Sequence, residues 1–177
     1  LNASGRSPYA ISRNQLIERG LKFIPNEGPL SWSVPGCVDG WAELNQRFGS
    51  RSLREVLQPS IRAASDGFPV SEVIAGSWRS ATSALQKWDD TAEPYLPDGK
   101  PPRFGQLFRN PRLAKSYQLI AEQGPAAFYQ GSIADRIVAF SEKHGGFLSK
   151  RDFKEHRSNW IEPVSTSYRG YRVWELP

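Results

Sequence analysis

Between Gly124 and Val138 the chain reads G-P-A-A-F-Y-Q-G-S-I-A-D-R-I-V, so one helix stops and new ones start almost at once. Gly124 suits the left-handed residue that ends a helix, and Pro125 presets the backbone for the first turn of the next. Ile133, Ile137 and Val138 then recur at the spacing of a helix that faces a core. This stretch predicts a fold of short, closely connected helices.

Apolar periodicity and capping residues predict helices along most of the remaining chain. Residues 88–103 differ, because they hold four prolines and little periodicity, so we expect a long loop with a solvated Asp89-Asp90 pair. The predicted helices are one opened by Pro8 and running to about Gly20, one capped by Asp39, residues 51–66 with Pro59 inside, one capped by Ser71 and running through Leu85, residues 111–123, residues 124–143, and a short one capped by Ser149 with Asp152 as its capping-box acid.

Alternating side chains at 164–168 and 171–176 predict two strands joined at Arg169-Gly170. The fold class expected is therefore α+β, mostly α-helical with a short β-hairpin at the C-terminal end. Leu1 is not a natural start, no Met occurs, and the chain stops within a strand and its exit. We expect residues 1–177 to form a single incomplete domain, an internal piece of a longer protein.

Charge and composition exclude several classes of function. The net charge is +5, but the basic residues are scattered among acids, so no nucleic-acid partner is expected. No apolar run is long enough to predict a membrane span. The lone Cys37 is expected to be a small buried residue, His144 to cap a helix end, and His156 to lie at the surface. Two isolated histidines predict no metal site.

Seven phrases of the sequence, taken in this order, resemble the large subunit of γ-glutamyltranspeptidases, in the branch of γ-glutamyltransferase-like proteins and cephalosporin-acylase relatives. A single phrase of this kind is weak evidence, whereas seven in the family's order are specific. They cover nearly the whole chain and are N-A-S-G-R-S-P (2–8), V-P-G-C-V-D-G (34–40), I-R-A-A-S-D-G-F-P-V-S (61–71), F-R-N-P (108–111), G-P-A-A-F-Y-Q-G-S-I-A-D-R-I-V (124–138), G-G-F-L-S-K-R-D (145–152) and E-P-V-S-T-S-Y-R-G-Y-R-V (162–173).

The resemblance implies an N-terminal-nucleophile hydrolase with an αββα sandwich, made as a self-cleaving zymogen. In that family a threonine freed at the start of the small subunit is the nucleophile, and its own amine acts as the base. Thr82, Thr91 and Thr166 do not lie in the family's cleavage-site context. The resemblance therefore implies no catalytic residue in this chain, and Gly145-Gly146 is expected to be a helix-ending turn, not an oxyanion hole.

The resemblance also implies one substrate contact. An arginine in a D-x-R-E-x-A-P phrase grips the α-carboxylate of the γ-glutamyl group, a task that suits a planar two-pronged donor. Aligned on Pro8, Ser4 takes the place of that arginine and Gly5 that of the glutamate, with Arg6 two residues further on. Ser4 and Arg6 are the candidate substrate-binding residues, and Arg6 is either a substitute carboxylate ligand or a structural arginine.

The implied function is cleavage of γ-glutamyl amides and transfer of the acyl group to water or an amine, as in glutathione metabolism. We expect no cofactor, and an inactive chain until joined to the rest of the large subunit and the small catalytic subunit. A non-catalytic helical binding module that retains the family scaffold is the alternative, favoured by Ser4. The compartment stays open between cytoplasm and periplasm or exterior.

Overall fold

The computed structural model describes residues 1–177, and about half of them lie in helices. The mainly helical chain with a C-terminal hairpin is thereby confirmed. The elements in chain order are α1 (Arg13–Glu18), α2 (Cys37–Phe48), α3 (Leu53–Asp66), β1 (Phe68–Pro69), α4 (Glu72–Leu85), α5 (Asp89–Tyr95), β2 (Leu107–Phe108), α6 (Pro111–Gln123), α7 (Pro125–Tyr129), α8 (Ser132–Lys143), α9 (Lys150–Lys154), β3 (Val164–Tyr168) and β4 (Tyr171–Glu175), with single 3₁₀ turns at Pro29–Ser31 and Pro97–Gly99.

The contacts divide the chain into two compact units, Leu1–Leu53 with Gln123–Pro177 and Arg54–Glu122. Each unit buries its own apolar side chains. Those of the first include Val34, Val38, Ala127, Tyr129, Ala134, Val138, Leu148 and Phe153. Those of the second include Leu57, Ala64, Val70, Ala75, Leu96, Phe108, Ala114 and Ile120. A single domain over residues 1–177 stays a prediction. None of the helices has the length and apolar character needed to cross a bilayer.

Local capping signals placed several helices correctly. Ser71 caps α4 by accepting a hydrogen bond from the Ile74 N–H at 3.4 Å. The helix predicted over 111–123 is α6. Gly124 follows it with φ of 71°, a left-handed conformation that glycine adopts without strain.

The capping box of α9 also has a tertiary role. The buried carboxylate of Asp152 accepts hydrogen bonds from the Ser149 N–H at 2.8 Å and the Ser149 hydroxyl at 2.6 Å. Its other oxygen accepts the Tyr9 N–H at 2.7 Å. One side chain therefore starts α9 and fixes the backbone just after Pro8.

The predicted start of the first helix at Pro8 is wrong. Helix α1 begins at Arg13 and is capped by Ser12, which forms a capping box with Gln15. The Tyr9 N–H donates to the Asp152 carboxylate instead, so a tertiary contact sets the conformation of the chain just after Pro8. The apolar face of α1 lines an open hollow of about 630 Å³, and Ile17 is 53% exposed.

The long loop predicted over 88–103 contains helix α5, so that prediction is wrong in part. Asp89 and Asp90 lie in its first turn, where carboxylates are favourable, and both are exposed as expected. Tyr95, the last residue of α5, packs with Trp78 on the cluster of Val70, Ala75 and Phe108. This aromatic contact outweighs the prolines of the segment. The nearby β1–β2 pair, Phe68 opposite Phe108, was not predicted.

The predicted C-terminal hairpin is present: β3 pairs antiparallel with β4, with Tyr168 opposite Tyr171 and Val164 opposite Glu175. Arg169 and Gly170 both have positive φ, at 50° and 84°. Every residue of the two strands is exposed, including Val173 and Trp174. A two-stranded hairpin with both faces open is marginally stable by itself.

Backbones approach closely where the N-terminal segment crosses the start of α2. A Cβ at Gly5 would overlap the Val34 carbonyl oxygen, and one at Gly36 would overlap the Ala3 carbonyl oxygen. A Cβ at Gly40, one turn further on, would lie 2.7 Å from the Ala3 Cβ. The glycines of the V-P-G-C-V-D-G phrase therefore make room for residues 3–5.

We predict that Gly36→Ala destabilises the complete protein by about 1–3 kcal/mol, because the new methyl must displace the Ala3 backbone. The urea midpoint is the measurement. Gly76→Ala is the matched control, since Gly76 lies inside α4 with nothing within 4 Å of its Cβ position. That control is expected to stabilise by about 0.5–1 kcal/mol. Equal effects of the two changes would contradict the close approach.

Candidate functional site

The candidate substrate-binding residues lie on an extended segment, residues 2–6, that is fixed through its backbone. Asn2 and Asn159 exchange two hydrogen bonds of 2.8 Å each. The Ser4 N–H donates to the Asn2 Oδ1 at 2.9 Å, and the Arg6 carbonyl accepts the Val34 N–H at 3.0 Å. We call residues 2–6 the N-terminal segment. Its backbone is held from both sides while its side chains vary in exposure.

Ser4 and Arg6 both have exposed side chains on this segment. The Arg6 guanidinium carbon lies 3.2 Å from the centre of the Tyr9 ring, and that of Arg151 lies 4.4 Å from it. Stacking engages the face of a guanidinium and leaves its in-plane N–H groups able to donate. The geometry brings a second arginine beside Arg6 that sequence reasoning missed, because residues 6 and 151 are far apart in the chain.

Arg151 carries a counter-charge of its own. Its Nε donates to the Glu155 Oε1 at 2.9 Å, an i,i+4 ion pair on the surface. Exposed pairs of this kind contribute little to stability, about 0–1 kcal/mol. The Arg6, Tyr9 and Arg151 group is therefore a positively charged, partly neutralised patch.

Beneath the N-terminal segment, the start of α2 rests on a buried polar layer. The Tyr129 hydroxyl of α7 donates to the Pro35 carbonyl at 2.8 Å and accepts the Asp39 N–H at 3.1 Å. The Asp39 carboxylate accepts the Ser158 N–H at 2.6 Å. The predicted N-cap role of Asp39 is wrong, since Gly36 is the N-cap and Asp39 is the third helical residue.

His156 lies in this buried layer, so the predicted surface position is wrong. It is 4% exposed and stacks on Tyr129 with ring centres 5.2 Å apart and planes 19° apart. Its Nε2 has no hydrogen-bond partner and lies 3.9 Å from the Asp39 Oδ2. The phrase around His156 is polar and follows a short helix, and only the tertiary packing shows that the ring turns inward.

Burial lowers the pKa of the His156 imidazole, with a further lowering by Arg157 and an opposing effect of Asp39. Burial also raises the pKa of the Tyr129 phenol to about 12; the hydrogen bond from the Asp39 N–H opposes this rise, and the charges of Asp39 and Cys37 add to it. Both shifts favour the neutral form. The layer is therefore built for an uncharged imidazole and an uncharged phenol beside one carboxylate.

The other candidate residues, Cys37 and His144, are not part of this buried layer. Cys37 is exposed, so its predicted burial is wrong. It is the first residue of α2, and the close packing there is made by its neighbours Gly36 and Val38. His144 is the C-cap of α8, as predicted, and Gly145 after it has φ of 73°.

The three threonines lie in separate elements, with Thr82 in α4, Thr91 in α5 and Thr166 in β3. The Thr82 hydroxyl donates to the Trp78 carbonyl of its own helix at 3.2 Å. No group of three or more His, Cys, Asp or Glu side chains is arranged to hold a metal ion. The N-terminal segment, with exposed Ser4 and Arg6 side chains on a hydrogen-bonded backbone, is therefore the candidate site.

Solved structures with this architecture include a cephalosporin acylase and a γ-glutamyltranspeptidase. A cephalosporin acylase from Bacillus halodurans superposes with a TM-score of 0.93 at 39% identity, over 100% of this chain and 34% of that one. The γ-glutamyltranspeptidase of Helicobacter pylori superposes with a TM-score of 0.93 at 26% identity, over 99% of this chain and 52% of that one.

The family itself follows from the sequence match. The profile of the family described as Gamma-glutamyltranspeptidase matches residues 1–177, so this chain belongs to that family. A glutathione hydrolase-like proenzyme of Bacillus subtilis (strain 168), YwrD, is 38% identical over 177 residues, which are 99% of this chain and 33% of the relative. The chain thus spans about a third of that relative's length.

We predict that Tyr129→Phe lowers the free energy of unfolding by about 1–3 kcal/mol, because the buried Pro35 carbonyl and Asp39 N–H both lose a hydrogen-bond partner. Since the folded pKa of Tyr129, about 12, lies above its ordinary value, its contribution is present below about pH 10 and lost as the pH rises through about 12. Urea unfolding of the complete protein against pH measures both effects.

Tyr171→Phe is the control for this change, because Tyr171 is 77% exposed and is expected to shift stability by less than about 0.5 kcal/mol. The loss of stability at alkaline pH should persist in Tyr171→Phe and diminish in Tyr129→Phe. The same alkaline profile in both variants would contradict the role given to Tyr129.

Proposed function

We propose that the complete protein containing this chain is a γ-glutamyltranspeptidase-like hydrolase that cleaves γ-glutamyl or related amide bonds. The observation that carries this proposal is the family match along all 177 residues. The names of the relatives, a glutathione hydrolase-like proenzyme and a cephalosporin acylase, support amide cleavage after activation of a precursor. The nucleophile lies outside residues 1–177.

The proposed reaction is acyl transfer through an N-terminal threonine. The threonine hydroxyl loses its proton to the α-amine of the same residue and attacks the amide carbonyl. The carbon–nitrogen bond breaks, the leaving amine takes up the proton, and an acyl-threonine remains. Water or a second amine then attacks the acyl group and restores the threonine. Backbone donors stabilise the oxyanion of each tetrahedral intermediate.

In this reaction the chain contributes substrate binding through its N-terminal segment. Ser4 and Arg6 are proposed to face the carboxylate of the substrate, and the backbone bonds to Val34 and Asn159 keep their positions fixed. A backbone that is already held loses less entropy on binding, so a short segment with a hydrogen-bonded backbone suits recognition.

Ser4 changes the strength and the selectivity of that recognition. A serine donates a single neutral hydrogen bond, whereas an arginine donates a charge-assisted pair, a difference of about 1–2 kcal/mol. We propose that Arg6 supplies part of the missing charge. Such a site depends less on the γ-glutamyl carboxylate and accepts other acyl groups more readily, which agrees with its similarity to a cephalosporin acylase.

The exposed hairpin supports a proposed place for the chain in a larger sheet. Val173 and Trp174 are exposed on strands that have only each other as partners. We propose that β3 and β4 begin the sheets of an αββα sandwich completed by the rest of the large subunit and by the small subunit. Residues 1–177 then form one incomplete domain of the large subunit.

A non-catalytic helical binding module is the second candidate. Ser4 at the arginine position favours it, because a serine cannot make the charge-assisted pair of hydrogen bonds that an arginine makes. A module of this kind keeps the scaffold but undergoes no self-cleavage.

The complete protein separates the two candidates. For the enzyme we expect two subunits by mass spectrometry, a threonine at the new N-terminus, and hydrolysis of a γ-glutamyl or acyl anilide. Residues 1–177 alone should give no turnover, because they hold no nucleophile. An uncleaved, inactive complete protein would overturn the proposed function, and turnover by residues 1–177 alone would overturn the location of the nucleophile.

We predict that Arg6→Ala raises KM for a carboxylate-bearing substrate about tenfold, the loss of one charge-assisted hydrogen bond of about 1.5 kcal/mol. Arg6→Lys keeps the charge without the planar guanidinium, so its KM should lie between those of the wild type and Arg6→Ala. Arg79→Ala, an exposed arginine of α4, is the control and should leave KM unchanged. An unchanged KM in Arg6→Ala would make Arg6 a structural residue.

A further inference from the structure

His156 is the one histidine in the chain that is buried, and its ring reaches the backbone on which the N-terminal segment rests. The Cε1 atom lies 3.0 Å from the Cβ position of Gly36, and that same position overlaps the Ala3 carbonyl. Three residues beyond His156, Asn159 makes the paired backbone bonds to Asn2. The His156 ring therefore packs on the Gly36 backbone that carries Ala3, and the residues after His156 hold Asn2 at the start of the segment.

The surroundings of the ring favour a neutral imidazole. Tyr129 covers one face at a ring separation of 5.2 Å, and the Nε2 has no hydrogen-bond partner. In the charged ring both nitrogens carry protons, so Nε2 is then a buried donor that requires an acceptor. The available acceptor is the Asp39 Oδ2, which is 3.9 Å away and already accepts the Ser158 N–H at 2.6 Å.

Closing that distance by about 1 Å to a normal hydrogen bond means moving His156, Asp39 or both. Asp39 lies in the first turn of α2, three residues after Gly36, and cannot move alone. His156 cannot move without disturbing the chain that leads to Asn159. Either movement shifts the surface against which Ala3 is packed.

We propose that His156 is a positioning residue for the N-terminal segment: its neutral ring keeps residues 2–6 in place, and protonation draws it towards Asp39 and releases the segment, so that substrate binding weakens in acid. This inference rests on the proposed function only in its last clause. The coupling of His156 to the segment stands on the packing alone.

The charges around His156 set the direction of the effect. Asp39 on α2 favours protonation, whereas burial and Arg157 oppose it. The other titratable groups on the packed elements and on its own segment are Cys37, Glu43 and Arg47 on α2, Tyr129 on α7, Lys150, Arg151, Asp152 and Lys154 on α9, and Glu155. With the folded pKa below the ordinary value, the support is complete above about pH 6.5 and is lost as the pH falls through the folded pKa.

The test is the KM of the complete protein from about pH 7.5 to about pH 5, with kcat measured alongside. We expect KM to rise roughly fivefold or more in acid, the low end of coupling between linked sites. His156→Phe keeps a flat ring on Tyr129 without a titratable nitrogen, so its KM should lose the acid rise. His144→Gln, which changes the other histidine, should keep the wild-type profile.

Asp39→Asn provides a second variant if His156→Phe fails to fold. The amide oxygen of asparagine can still accept the Ser158 N–H, while the charge that favours protonation is gone. The midpoint of the KM rise should therefore move to lower pH. A merely structural role for Asp39 leaves the midpoint where it was. An acid rise that persists in His156→Phe, or an unmoved midpoint in Asp39→Asn, overturns the proposal.

Hydrogen exchange separates this inference from the proposed function. If the complete protein cleaves no γ-glutamyl or acyl anilide, the amides of residues 2–6 and of Val34 still report the segment's position. After correction for intrinsic rates, their protection should fall in acid in the wild-type protein and in His144→Gln, but not in His156→Phe. Equal losses in all three proteins overturn the positioning role even when the enzyme is active.

Discussion

The close passage of residues 3–5 over the start of α2 is the contact on which the candidate site depends. It exists because Gly5 and Gly36 have no side chains, so that carbonyl oxygens occupy the space of a Cβ. Three hydrogen bonds hold the start of α2 beneath this contact. The Tyr129 hydroxyl donates to the Pro35 carbonyl and accepts the Asp39 N–H, and the Asp39 carboxylate accepts the Ser158 N–H. A backbone held in this way loses little further backbone entropy when its side chains bind a ligand.

The same contact explains what two recognisable phrases of the sequence do. The V-P-G-C-V-D-G phrase supplies the glycines that let the N-A-S-G-R-S-P phrase approach, and the N-terminal phrase supplies Gly5 in return. The stretch from Gly124 to Val138 brings Tyr129 under α2 through the short helix α7. Phrases that resemble the family are thus parts of one packing arrangement around a segment with exposed side chains at Ser4 and Arg6.

Local sequence signals predicted the elements whose ends are set by local chemistry. Ser71, Ser149 with Asp152, and Gly124 cap or end their helices through residues a few positions away, and the sequence contains all of that information. The failures occurred where distant residues decide. Asp152 takes the Tyr9 N–H and so delays α1, the Phe108 cluster holds α5 despite its prolines, and Tyr129 covers His156. Such contacts join residues about 10 to about 140 positions apart, beyond the reach of any spacing pattern.

The most direct measurement is a crystal structure of the complete protein with a γ-glutamyl or related acyl ligand bound. We expect the ligand carboxylate within about 3 Å of the Ser4 hydroxyl or an Arg6 N–H, with the Ala3 carbonyl still packed on Gly36. A carboxylate bound by other residues, with residues 2–6 away from the ligand, would contradict the role assigned to the N-terminal segment.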